Sequence, residues 1–475
     1  MDATRNRRPL RLAVELSNYI TSMTSMTTAL HRNQLCFWCI LSTALILRIA
    51  AAVAIDRHVQ AEGRQFLIEG DAYGYWELGQ KIAAGEEYTI FEPPRRVHRT
   101  PGFPLLLAAS IRIFGNSIFA ATIVMAFVGC GCCWLTWLLA RRITDGSTAL
   151  WSMLLVAVSP LQLGSNVQIL SETWFTFWLL LCLIALVPLV RERQGASRRC
   201  QGEELQKTPR ASALSLTELT EFRENVSPSF GWLLALVCGL LTGLTVLVRP
   251  GWILWCGFSS LILLTFGQQP IARRVVFSGL IVAGCFLALL PWAWRNHTVT
   301  GHWIFTSLWS GPSLYDGLHP EATGASDMKF FDAENVLSTM SEFDANAHYK
   351  QRAIEFVIAN PVRAIELAIL KAGRYLSPTL NAAGFSGGPF SLFCLIWYTV
   401  FVGLIVMGTI DLRKQPAILL LLAGPFLQFL LVHMVFVGSI RYRLPVEFPL
   451  SIIAAKGLAA VLNRVGWVHL ARPDS

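Results

Sequence analysis

The sequence predicts an all-α polytopic membrane protein of about ten transmembrane helices with helical extracytoplasmic loops, and three observations carry that expectation. First, 54% of the 475 residues are hydrophobic and only 15% are charged, whereas soluble domains run near 45–50% and about 25%. Second, the apolar residues cluster in runs of roughly 17–23, long enough as helices to cross a ~30 Å hydrocarbon core. Third, the basic residues are distributed asymmetrically among the connections between those runs. A soluble enzyme, a disulfide-stapled secreted scaffold and a disordered tail protein are excluded.

The runs fall at about 35–55, 118–140, 147–163, 169–190, 230–248, 250–267, 275–294, 390–410, 416–437 and 445–462. The first, Leu35 to Ile55, is too long for a signal-peptide core and lacks a small-residue cleavage site, so it is expected to stay as a span. Before it lies a basic, cytoplasmic segment, 1–34, in which Leu10 to Leu30 is open to either an interfacial helix or a disordered lead. With the N-terminus inside, the short inner segments hold 20 Lys and Arg and the short outer ones 3. That excess orients the chain by the positive-inside rule. Residues 35–462 then form one transmembrane domain, with outer loops at 56–117 and 295–389, a polar inner linker at 191–229 and a tail at 463–475. The second loop carries helical-period stretches whose apolar residues (Ile354, Val357, Ile358, Ile365, Leu367, Leu370) suggest helices lying on the membrane surface.

The net charge of +9 would in a soluble chain raise the question of nucleic acid, but here orientation accounts for it, and no nucleic-acid partner is expected. Of the eleven cysteines, ten lie within apolar runs and Cys200 in a basic loop, so they read as small hydrophobes. The outer histidines show no tight ligand spacing, so no metal site is expected, and no cofactor is indicated. His433, within a run, reads as a bonded interhelical residue.

This topology gathers the unusual polar motifs at one face. They are Glu69-Gly70-Asp71-Ala72-Tyr73, His98-Arg99-Thr100-Pro101-Gly102, Leu170-Ser171-Glu172-Thr173, Arg249-Pro250, Trp294-Arg295-Asn296 and Arg441-Tyr442-Arg443-Leu444-Pro445. Carboxylates, arginines and aromatics meeting at a membrane surface suit a substrate with a lipid tail and a phosphate head. Arginine offers phosphate a planar fork of donors and keeps its charge in a partly dry site. A nearby carboxylate accepts the proton of an attacking hydroxyl. Each motif also has a plainer reading. Asp71 shares its loop with six glutamates, and Glu172 sits where an acid can snorkel. Arg249, Arg295, Arg441 and Arg443 can be interfacial anchors, and Arg48, inside the first run, is expected to reach the outer surface.

The ordered set of motifs resembles the polytopic C-type glycosyltransferases, in particular bacterial relatives of the dolichyl-phosphate-mannose protein mannosyltransferases and of the lipid A aminoarabinose transferases. The set runs from Leu47-Arg48 through Asp71-x-Tyr73, Arg99-Thr-Pro-Gly-Phe-Pro104, Leu170-Ser-Glu172-Thr-Trp-Phe175, Gly239-Leu-Leu-Thr-Gly243, Arg249-Pro250, Pro291-Trp292 and Arg295-Asn296 to Arg441-Tyr-Arg-Leu-Pro445. The resemblance implies transfer of a sugar from a polyprenyl-phosphate donor to a lipid, glycan or protein hydroxyl at the extracytoplasmic face of the cell membrane. It implies Asp71 as general base, with Tyr73, His98, Arg99, Glu172, Arg295, Arg441 and Arg443 as substrate-binding residues. One departure is that Ala72 follows Asp71 where many relatives carry a second acid, which weakens any case for a divalent cation held by an acidic pair. The rival expectation is a transporter or flippase for a lipid-linked or polar solute. It would place ionisable residues near the bilayer midplane, in related halves.

Overall fold

The computed structural model describes residues 8–190, 228–379 and 388–465, with side chains from residue 32 onward and, after the linker, from 231. The expected linker 191–229 lies almost wholly outside the described residues, as do most of the tail and part of the Gly-rich joint at 384–388. Among the described residues the fold is all helical, without a sheet. One antiparallel bridge, Ile90 to Arg95, pins a loop.

Among the described residues, seven helices are long and apolar enough to cross a membrane: Arg32–Ala61, Ile118–Ile143, Glu172–Val190, Ile271–Thr300, Gly388–Leu412, Pro416–Val435 and Leu444–Arg464. The first is the end of one continuous helix, α1 (Arg8–Ala61), so the stretch from Leu10 to Leu30 is helical. An eighth candidate is a broken pair, Gly146–Val158 and Pro160–Asn166, bent by 63°. Proline explains the break, because residue 160 has no N–H to offer the carbonyl four residues back. The expected spans at 230–248 and 250–267 appear as shorter apolar helices, Gly231–Val246 and Pro250–Phe266. They are short because Arg249-Pro250 stops one and starts the other with a 3-10 turn.

Small residues let the helices approach closely, as they must where lipid offers no hydrophobic contrast. A Cβ at Gly239 or Gly243 would collide with the carbonyls of Ile281 or Cys285, and one at Gly408 with that of Ile453. The two ends of the bundle are marked by polar contacts. At one end Lys456 meets Asp145, 3.6 Å apart. At the other, Asp71, Arg99, Glu172, Arg249 and Arg441 meet in ion pairs.

Arg48 is a correction to the sequence reading. Its side chain does not reach the surface but is sealed inside the bundle, because buried polar acceptors there offer it bonds.

The two connections expected outside are helical. The first contains α2 (Asp71–Ala84) and α3 (Gly102–Phe114). The second folds around its own small core of Tyr315, Phe331, Tyr349, Phe356 and Leu367. Its helix Pro361–Leu376 leaves Val362, Ile365 and Ile369 exposed along one face, at 63–70%. Leu367, expected on that surface face, instead turns inward to the loop core. Lys371, at the inner side of the same helix, donates to the carbonyls of Gly317 (3.0 Å) and Val435 (2.7 Å) and ties the loop to the bundle.

Candidate active site

Five charged side chains converge at the motif-bearing end. Asp71 opens α2, and the turn that delivers it requires Gly70 at φ +76°, where a side chain would be strained. Arg99 lies in the irregular, bent stretch before α3. That stretch is fastened on two sides: Gly102 N–H donates to Leu247 O (2.8 Å), and Trp174 Nε1 donates to Gly102 O (3.0 Å). Glu172 is the first residue of its helix. Arg249 ends the helix Pro228–Val246 and its two-residue extension, and Arg441 sits in the 3-10 turn Ile440–Tyr442.

Asp71 is shared between two guanidinium groups. Arg99 Nη2 donates to one carboxylate oxygen at 2.6 Å and Arg441 Nη1 to the other at 2.7 Å. Arg441 Nε also donates to Glu172 Oε1, and Arg249 Nη2 approaches the same oxygen at 3.4 Å. The result is a chain, Arg99–Asp71–Arg441–Glu172–Arg249, of three cations and two anions with a formal surplus of one positive charge.

Aromatic rings support the cations: Tyr75 lies under Arg99 (4.4 Å) and Tyr442 under Arg249 (5.1 Å). His433 stacks on Tyr442 at 3.9 Å, with Nδ1 2.9 Å from the carbonyl of Val437.

The electrostatics hold Asp71, Arg99 and Arg441 ionised. Burial by itself would raise the Asp71 carboxyl, but the charges of Arg99 and Arg441 override it and leave the group far below the usual carboxylate range. For Arg99 and Arg441 burial works against the charge, and the acids beside them more than restore it. Three polar atoms stay buried without a protein partner: Arg99 Nε, Arg249 Nη1 and Glu172 Oε2. In a folded interior such orphans call for an explanation, and a ligand is one. Beside the cluster a small, largely apolar crevice is lined by Ala52, Ile55, Val59, Phe66, Ala72 and Leu170. Among the described residues no group of three or more His, Cys, Asp or Glu is placed to hold a metal ion.

Of the residues expected at the site, the structure thus brings together Asp71, Arg99, Glu172 and Arg441. Tyr73 is close in sequence but exposed. His98 has no hydrogen bond to Asp71 and sits in an aromatic box, edge-on to Phe91 and Trp309. Arg295 is bonded to the carbonyls of Arg96 (2.6 Å) and Tyr88 (3.1 Å), fastening the first loop to the helix Ile271–Thr300. Arg443 turns to the opposite side of its segment. It is fully buried against Glu447 (2.8 Å) and the carbonyls of Tyr375 and Ser377. Arg249 joins the cluster although snorkelling accounted for it equally well in the sequence. The signal was an Arg-Pro pair interrupting an apolar run.

Residues 98–196, which include both Arg99 and Glu172, match the family described as dolichyl-phosphate-mannose-protein mannosyltransferase. Over this segment, which is less than half of the chain, the sequence is similar to that family of membrane glycosyltransferases. Curated proteins compared by sequence give no match. Among solved structures, the archaeal oligosaccharyltransferase AglB from Archaeoglobus fulgidus, in complex with an inhibitory peptide and a dolichol-phosphate, is 14% identical with a TM-score of 0.49. It covers 92% of this chain, and the chain spans about half (52%) of its length. ArnT from Cupriavidus metallidurans, bound to undecaprenyl phosphate, is 14% identical with a TM-score of 0.39, covering 92% of this chain and 81% of its own. Both likenesses are distant.

Proposed function

We propose that this protein transfers a sugar from a polyprenyl-phosphate donor to an acceptor hydroxyl, with Asp71 as general base and Arg99, Arg249 and Arg441 holding the donor phosphate. The observation that carries the reading is the charge chain itself. It has a surplus positive charge and buried, unpartnered donors at Arg99 Nε and Arg249 Nη1, at the end of a membrane bundle. A lipid phosphate supplies both the missing acceptors and the missing negative charge. The crevice beside Ala72 provides apolar surface next to the reacting centre. Ten spans fit this arrangement: Arg249 meets Glu172, so the short helix ending there rises to the same level as the long one beginning at 172. The N-terminus then lies in the cytoplasm and the site at the extracytoplasmic face of the cell membrane.

The chemistry balances within the cluster. The acceptor oxygen attacks sugar C1, its proton passes to the Asp71 carboxylate, and the C1–O bond to phosphate breaks. The electron pair leaves on the phosphate, where the guanidinium groups stabilise the growing charge. Ligand-free, Asp71 is too well solvated by arginines to be a strong base. A donor phosphate competes for Arg441 and Arg99, and drawing them away raises the basicity of Asp71 when the substrate is in place.

The direct test incubates purified protein in nanodiscs with radiolabelled polyprenyl-phosphate sugars and candidate acceptors, alongside undecaprenyl-phosphate binding. Transfer that disappears in Asp71→Asn while lipid-phosphate binding persists supports the assignment. An active Asp71→Asn protein sinks Asp71 as the base. Absence of lipid-phosphate binding together with solute flux in vesicles favours a transporter.

A further inference from the structure

Arg48 is a charged side chain that the proposed reaction never touches, yet it is completely buried in the bundle. Its bonds go to the place where the broken helix pair parts. Val156 O has lost its helical partner because residue 160 is proline, and the 63° bend opens Ala157 O as well. Arg48 Nη2 donates to Val156 O and Nη1 to Ala157 O, each at 3.3 Å, and Nη1 also reaches Ala44 O at 3.0 Å. A cation thus closes the negative end of the half-helix Gly146–Val158 inside the membrane domain.

The remaining donor points onward. Arg48 Nε donates to Asn166 Oδ1 at 2.7 Å, and Asn166 Nδ2 donates to Thr173 Oγ1 at 3.0 Å. Thr173 directly follows Glu172. All three side chains are buried, and Gly129 leaves room for them, since a Cβ there would collide with Asn166 and Arg48. The same short helix, Pro160–Asn166, reaches the other carrier of the site. Gln162 Nε2 donates to Leu444 O (2.7 Å) and Glu447 Oε2 (3.2 Å), and Glu447 holds Arg443, two residues from Arg441. One buried half-helix is therefore braced against both segments that supply the central ion pair.

We infer that Arg48, acting through Asn166 and Thr173, is a positioning residue that sets where Glu172 meets Arg441 and Arg249. The inference rests on the reading of that cluster as a phosphate site. Arg48→Met strands three buried acceptors and threatens folding, so Thr173 carries the test. Thr173→Val removes the hydroxyl with little change of shape, and Thr173→Ser keeps it. Undecaprenyl phosphate is the probe, titrated onto each purified variant in nanodiscs at pH 7. The expected result is a 5–10-fold weaker affinity for Thr173→Val, near-native affinity for Thr173→Ser, and no further loss when Thr173→Val is added to Glu172→Gln. A loss that persists undiminished in the Glu172→Gln background marks a general structural effect and overturns the inference, as does native binding by Thr173→Val.

A second arm needs no ligand. The coupling between Glu172 and Arg441, read from unfolding midpoints of the single and double variants, should shrink by about half in Thr173→Val. Should the wild type fail to bind lipid phosphate while this coupling still shrinks, the functional reading falls and the positioning role stands. An unchanged coupling removes the positioning role whatever the ligand does.

Discussion

Arg441 is the link on which the charge chain depends, and replacing it by glutamine tests the arrangement. The change leaves Glu172, whose side chain is 2% exposed, with Arg249 at 3.4 Å as its remaining charged partner. Asp71, at 36% exposed, keeps Arg99 at 2.6 Å and is partly served by water, so its share is small. Removing one partner of a buried pair costs about 3–5 kcal/mol because the other charge is stranded. With the Arg249 contact offsetting part of this, Arg441→Gln should lose about 3 kcal/mol. At roughly 2 cal/mol/K of unfolding entropy per residue, that corresponds to a midpoint about 3 °C lower. Adding Glu172→Gln removes the stranded charge, so the double variant should recover about 2 kcal/mol, a coupling within the usual range for contacting residues. The 16 tryptophans make intrinsic fluorescence during heating in detergent a direct assay. Neither the single nor the double variant should bind undecaprenyl phosphate normally. Strictly additive losses would falsify the claim that Glu172 depends on Arg441 for its charge compensation.

Three further outcomes follow from the same geometry. Asp71→Asn should lower transfer by roughly 10²–10⁴-fold, the usual contribution of a general base, with lipid-phosphate affinity reduced far less; rate and binding measured on one preparation check this. Arg249→Gln should weaken undecaprenyl-phosphate binding by about ten-fold or more, since a hydrogen bond to a charged group is worth about 1.5–3 kcal/mol, and a titration reads it. Because Asp71 titrates far below the usual carboxylate range, its stabilising effect is complete above about pH 4, its unfolded value, and fades as pH falls through the lower folded value. Arg99→Gln removes one of the cations responsible, so the acid loss of stability, and the acid limb of transfer activity, should move to higher pH; an unmoved acid limb would show that Arg99 does not tune Asp71.

Much of the architecture was legible in the residue pattern, because a membrane span must be apolar over a fixed length whatever it packs against. The helices at 118–143, 271–300, 388–412, 416–435 and 444–464 lie within a few residues of the expected runs. Two expected spans came out shorter, and a third broke at Pro160, since a hydropathy run records composition but not where the backbone turns within it. At the site, Asp71, Arg99, Glu172 and Arg441 were legible as motifs, being polar groups stranded at the edges of apolar runs. Arg443 and Arg295 carried the same signature and proved to hold the scaffold, Arg443 through Glu447 and Arg295 through two loop carbonyls. Sequence spacing does not tell which side of a short turn a guanidinium leaves from, and Arg441 and Arg443, two residues apart, leave from opposite sides.

By itself, then, the amino-acid sequence determined a helical membrane bundle and the short list of charged residues from which the ion-pair cluster is drawn. The cost of burying charge and the length of a helix crossing lipid are local properties, readable residue by residue. Only the tertiary structure decided which members of that list meet. Asp71 and Arg441 stand 370 positions apart and 2.7 Å from each other. It also decided that Arg48, which local reasoning sends to the surface, closes a broken helix instead, because its partners are carbonyls that become free only when a distant segment bends.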